Sequence, residues 1–162
     1  MTIAADPLTR PALHLAVQYA CSSAELPSRS RIRRWVQAAQ SRPATVAVRW
    51  VDADEGQTLN REFRHKDYAT NVLTFVYHDA DSDAVEGDIV VCEPVLRAEA
   101  AAQGKPFEHH AAHLLVHGML HLQGFDHLDD DEAATMEALE RAILARMRIP
   151  DPYADRDPQA AV

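Results

Sequence analysis

The chain is 162 residues long, which fits one domain able to build a core without disulfide or metal support. Apolar residues make up 47% and charged residues 25%, a balance that excludes a disordered, collagenous or disulfide-dense protein. The net charge of −9 argues against a nucleic-acid partner until its placement is considered: residues 1–66 carry ten Arg and Lys against six acids, and residues 67–162 carry six against nineteen. Such a split allows a basic face on an acidic protein. The longest uncharged run near the start, between Arg10 and Glu25, holds Pro11, His14 and Gln18 and suits neither a membrane span nor a signal-peptide core. The expected compartment is the cytoplasm. Cys21 and Cys92, with no CxxC pair, read as two reduced thiols, the alternative being one disulfide.

Residues 1–12, with Pro7 and Pro11, read as a flexible N-terminus. Leu13, Leu15 and Val17 alternate with His14, Ala16 and Gln18, which predicts a strand. Ser28 or Ser30 caps a helix whose apolar stripe is Ile32, Trp35, Val36 and Ala39, and Pro43 ends it. Thr45 to Val51 is β-branched and predicts a strand; Asp52-Ala53-Asp54-Glu55-Gly56 reads as a turn, with a second strand returning through Leu59 and Phe63. Asn71 to Tyr77 is a further strand, His78 to Glu86 an acidic loop, and Gly87 to Cys92 a short strand. Helices follow over Val95 to Gln103, with Gly104 as C-cap, over Phe107 to Gln123, stopped by Gly124, and after the acids Asp129 to Glu132, where Met136, Leu139, Ile143 and Leu144 form the buried stripe. Residues 149–162, rich in Pro, Asp and Ala, read as a flexible tail. The order of candidate elements, β-α-β-β-β-β-α-α-α, belongs to the α+β class, with one domain over 13–148 expected as a small mixed four-stranded β-sheet with helices packed around it.

Six of the nine histidines fall between His109 and His127. His117 and His121, four apart on a helix, project from one face. Gly124 permits the positive φ that ends the helix and turns the chain back, so that His127 approaches the same point. Three neutral imidazoles with a fourth position left for water are the donor set of a catalytic Zn²⁺. His109, His110 and His113 extend the row as polar helix surface or in a site role, His113 being the best placed to support the ligands, one turn before His117. The H-x₃-H-x₂-G-x₂-H spacing is shared with metzincin proteases, but Gly118 stands where those enzymes carry the glutamate that serves as general base. Gly118 is expected instead to leave room beside the metal for a bulkier substrate such as a sugar-phosphate backbone.

The segment His117-Gly118-Met119-Leu120-His121-Leu122-Gln123-Gly124-Phe125-Asp126-His127 resembles the HGxLHLxGYDH signature of the YbeY family of bacterial single-strand-specific endoribonucleases. Leu59 to Phe75 resembles that family's LNxxYRxKDxPTNVLSF block, Gly87-Asp88-Ile89 its GDI strand, and Met136 and Glu140 lie in a similar last helix. Phe63 and Phe125 replace tyrosines, Ala69 a proline and Thr74 a serine.

The resemblance implies that His117, His121 and His127 hold one zinc per chain and that Arg64 is the catalytic arginine near it. A guanidinium gives fixed bidentate donors to phosphate oxygens, which suits a phosphodiester substrate. Arg61 and Lys66 are outer contacts to the RNA backbone or ordinary surface charge. Asp126 orients an imidazole or caps the last helix; Asn71 hydrogen-bonds near the site or serves a turn or strand edge; Arg29, Arg31, Arg33 and Arg34 extend an RNA track or form a solvated helix surface. The function implied is zinc-dependent cleavage of single-stranded RNA in the 3′-end maturation of small-subunit ribosomal RNA and in ribosome quality control. The partners would be ribosomal RNA and small-subunit proteins, with no membrane and no DNA. The rival readings are a zinc metallopeptidase, whose base would have to come from elsewhere, and a non-catalytic ribosome assembly factor.

Overall fold

The computed structural model describes residues 10–23, 25–77 and 83–154. Four strands, β1 (Leu13–Ala20), β2 (Ala44–Val51), β3 (Val72–Val76) and β4 (Val85–Cys92), form one sheet in the order β1-β2-β4-β3. β1 and β4 run parallel to the central β2, and β3 runs antiparallel to β4, so the sheet is mixed. Five helices complete the α+β domain: α1 (Arg29–Ala39), α2 (Ala53–Arg64), α3 (Glu93–Gln103), α4 (Phe107–Leu122) and α5 (Asp130–Arg146).

Side chains alternate across the sheet and divide the core in two. Val46, Val48 and Trp50 of β2 and Val85, Ile89 and Val91 of β4 face a layer built from α1 and α4, with α5 packed on α4. Val51, Leu73, Val90 and Cys92 face the other way, under Leu59 of α2. α4 lies close on β4 because glycines meet it there. A Cβ on Gly87 would stand 2.6 Å from Leu122 Cδ2 and 2.6 Å from the Phe75 carbonyl oxygen, and one on Gly118 would stand 3.1 Å from Ile89 Cγ2. That contact sets the position of the histidine-bearing end of α4 over the sheet.

One predicted strand is a helix. Leu59 and Phe63 lie on α2 and not on a returning strand. The acids read as a turn are the helix start: Asp52 is the N-cap residue, and Asp54 and Glu55 occupy the first turn, where the helix dipole favours negative charge. Gly56, read as a turn residue, is buried on α2, where a Cβ would stand 3.1 Å from Cys92 Sγ. β4 also begins at Val85, two residues before the predicted strand, and α3 begins at Glu93 with Pro94 in its first turn, where a missing N–H costs no hydrogen bond. Residues 78–82 of the predicted acidic loop lie outside the described residues, as do 1–9 and 155–162 of the termini. Ile149 packs on the core and Tyr153 reaches Glu140, so residues 149–154 run as a strap along α5. Both cysteines are free.

Candidate metal centre

α4 is preceded by Pro106 as its N-cap residue and carries its apolar face, Leu115, Val116, Met119 and Leu122, into the core. The opposite edge presents His113, His117 and His121 one turn apart. Gln123 closes the helix, and Gly124 at φ 101° turns the chain back so that His127 meets the two helix histidines. Ring centroids are 4.6 Å apart for His117 and His121, 5.0 Å for His121 and His127, and 5.6 Å for His117 and His127. One ring nitrogen from each lies within 4.8 Å of the others, an arrangement that could hold a metal ion.

The surroundings suit a cation held by neutral imidazoles. Burial, together with the neighbouring His117 and His127, pushes the His121 pKa below its ordinary value and keeps the ring unprotonated. His117 points Nδ1 at Glu140 Oε1, 3.3 Å away, which leaves Nε2 for the centre. Glu140 is 1% exposed, and its Oε1 also accepts from His113 Nε2 at 2.7 Å and from the Tyr153 hydroxyl at 2.8 Å. Burial alone would raise the Glu140 carboxyl pKa, but the hydrogen bonds from His113 and His117 outweigh it and pull it down to about 2. Asp126 Oδ1 accepts the His127 backbone N–H at 2.7 Å and stands 3.7 Å from His127 Nδ1. The cap of α5 is Asp129, whose Oδ1 accepts from Glu132 N at 2.8 Å, so the capping alternative for Asp126 is set aside.

The other predicted residues fall around this cluster at varying remove. Gly118 does not open space beside it: its missing side chain faces Ile89 in the core, a packing requirement and no allowance for substrate. Asn71 donates to both oxygens of Glu99 at 3.2 and 3.3 Å and accepts from Val72 N at 2.7 Å, and Glu99 in turn bonds His110 Nε2 at 2.9 Å. Asn71 therefore ties the start of β3 to α3 and α4. Arg64 ends α2 and is exposed, with no hydrogen bond or ion pair among the described residues. Its neighbour Phe63 stands edge-on to Phe75 of β3 at 5.3 Å, which brings the end of α2 to the β3 edge of the sheet, where α4 covers the other face. His65 at φ 59° then reverses the chain. Arg61 pairs with Asp67 at 3.6 Å, and the Lys66 side chain is exposed. On α1, Arg29 donates to the Val17 carbonyl and lies over Tyr19, Arg33 donates to the Leu13 carbonyl, and Arg31 pairs with Glu108. Three of those four arginines are thus engaged within the protein.

Glu140 and Tyr153 were not among the predicted site residues. The signal for Glu140 was present: a glutamate between Met136 and Leu144, at four-residue spacing inside an apolar stripe, asks for a buried polar partner. Among the described residues a second group of metal-type donors, Cys21, Asp52 and Glu93, meets at the carboxyl ends of β1, β2 and β4. There Arg97 already pairs with Glu93, which supplies the positive charge.

The sequence profile of the family described as Endoribonuclease YbeY matches residues 19–148. The chain belongs to the YbeY family. It is 55% identical over 143 residues to the Endoribonuclease YbeY of Thiobacillus denitrificans, covering 88% of this chain and 97% of that one. It is 51% identical over 156 residues to the protein of the same name from Cupriavidus metallidurans, covering 94% and 79%. The solution structure of a Thermotoga maritima protein superposes with a TM-score of 0.52 at 24% identity, covering 89% of this chain and 97% of that one, which shows the shared fold. Among the described residues no helix is long and apolar enough to cross a membrane.

Proposed function

We propose that this protein is a zinc-dependent endoribonuclease that cuts single-stranded RNA during 3′-end maturation of small-subunit ribosomal RNA and in ribosome quality control, in the cytoplasm. The observation that carries this reading is the convergence of three histidines, one of them backed by a buried carboxylate, in a chain of the YbeY family. His117, His121 and His127 would hold the ion, one per chain. Bound there, zinc would supply a Lewis acid for a phosphoryl oxygen and a more acidic water.

The chain's own residues do the rest. His117, with Nδ1 on Glu140, turns Nε2 to the centre, and burial and its neighbours disfavour the protonated form of His121. Arg64, at the β3 edge and without an ion pair among the described residues, is a cation placed to grip a phosphate, and its fixed fork holds two oxygens at once. Lys66, and Arg61 on exchanging Asp67 for phosphate, would line the RNA backbone. The position after His117 holds no carboxylate, and its Cβ direction runs into Ile89, which counts against a peptidase with its base there.

The test is cleavage of a single-stranded RNA carrying a ribosomal 3′ precursor end by wild type and Arg64→Ala, purified identically and matched for zinc content. Loss of one charge-assisted contact predicts a drop of about 10- to 100-fold for the variant. Equal cutting by both removes Arg64 from the mechanism. If neither cuts while both support ribosome maturation, the protein is an assembly factor and the nuclease reading fails.

A further inference from the structure

Glu140 spends a buried carboxylate where the rest of its helix stripe is apolar. Met136 and Leu144, one turn to either side, are fully buried, and a hydrophobic side chain at 140 would complete that stripe. Burying a carboxylate costs several kcal/mol before its partners are counted, and well-packed apolar replacements of buried ion pairs are often as stable or more so. Packing alone therefore gives no reason for the charge. Its contacts do. Oε1 gathers three donors, His113 Nε2, the Tyr153 hydroxyl and His117 Nδ1, while Oε2 is buried with no hydrogen-bond partner among the described residues. The carboxylate stays outside the group of donor atoms formed by the three histidines, so it acts on that group through the His117 ring.

The third donor comes from the strap. Tyr153 stands edge-on to His113 at 5.3 Å, and its backbone N–H donates to Asp151 Oδ1 at 2.8 Å. Arg141 of α5 donates to the same Asp151 oxygen at 3.2 Å and lies over the Tyr153 ring at 5.2 Å. The strap is thus pinned to α5 at Arg141, the residue next to Glu140 in the chain.

We propose that Glu140 is a positioning residue that fixes His117 as the Nδ1–H tautomer with Nε2 directed to the metal centre, and that Tyr153 of the strap 149–154 holds Glu140 in that role. This rests on the three-histidine metal reading above. It makes the C-terminal strap part of the metal centre although none of its residues reaches the ion.

The experiment uses the full chain as wild type, Glu140→Gln and Tyr153→Phe. Zinc affinity is read by competition with a fluorescent chelator, and the His117 tautomer of the zinc-free protein by imidazole ¹⁵N shifts. Glu140→Gln should weaken zinc binding about 10- to 100-fold, as loss of an outer hydrogen-bond partner does, and should lose the Nδ1–H preference. Tyr153→Phe should shift both in the same direction by less. A Glu140→Gln protein that melts lower yet binds zinc as tightly, with an unchanged tautomer, makes Glu140 merely structural and overturns the proposal. Should that variant fail to fold, Tyr153→Phe decides, and unchanged affinity and shifts overturn it. A wild type that binds no zinc while His117 is the Nδ1–H tautomer defeats the metal reading and leaves the positioning by Glu140 standing; another tautomer defeats the positioning itself.

Discussion

His110 is buried against Glu99, and burial, only partly offset by that carboxylate, lowers its pKa below the ordinary histidine value. The unfolded chain takes up a proton near pH 6.5 that the native ring refuses, so His110 costs no stability above that pH and lowers it as the pH falls toward the native pKa. Urea unfolding between pH 7 and pH 5 should therefore show a shallower loss of stability for His110→Gln than for wild type; parallel curves would remove His110 as the cause. Position 118 makes a second point at the same scale. Gly118→Glu recreates the residue that follows the first histidine in zinc peptidases, but its Cβ meets Ile89 at 3.1 Å. A carboxylate forced against that core should destabilise the protein by about 3 kcal/mol or more and yield no peptide cleavage, checked by thermal unfolding and a peptide library.

At the scale of elements, α2 is the informative case. Local chemistry at 52–56 is shared by a turn and by a helix start, because Asp and Gly serve both. What decided it was tertiary: Leu59 had a second face of the sheet to cover, formed by Val51, Leu73, Val90 and Cys92. α2 is then fixed at its far end by Asn60, fully buried, whose Nδ2 donates to the Tyr68 carbonyl at 2.7 Å. Asn60→Ala strands that carbonyl and should cost about 1–3 kcal/mol in unfolding free energy. Because Arg64 sits one turn beyond, RNA cleavage should fall as well, but by less than in Arg64→Ala. The strap 149–154 is the complementary lesson. Its composition reads as tail, and Tyr153 has value only because α4 and α5 bring His113 and Glu140 within its reach.

Over the whole molecule the charge is −9, and the internal engagement of Arg29, Arg31, Arg33 and Arg61 leaves few cations for RNA on and just after α1 and α2. Arg34, Arg64 and Lys66 are exposed and form no side-chain ion pair among the described residues. If all three contact phosphate, the logarithm of affinity for single-stranded RNA should fall with the logarithm of salt at a slope of about −2. A slope several units steeper, measured by fluorescence anisotropy, would mean a basic track beyond these residues. Affinity from so small an electrostatic footprint would then rest on the metal centre and on Arg64.

Periodicity and spacing in the chain were enough for four strands, four of the five helices and the grouping of His117, His121 and His127. His117 and His121 are four apart on a helix and His127 follows a glycine turn, so their meeting is a local matter that backbone geometry settles within eleven residues. Contacts across the fold decided the remainder. Gly118 packs on Ile89 instead of serving substrate, three of the four α1 arginines direct their donors to β1 and α4, and a glutamate 23 residues after His117 turns its ring. Each depends on which element lies alongside, and burial of two sheet faces fixed that for the domain as a whole.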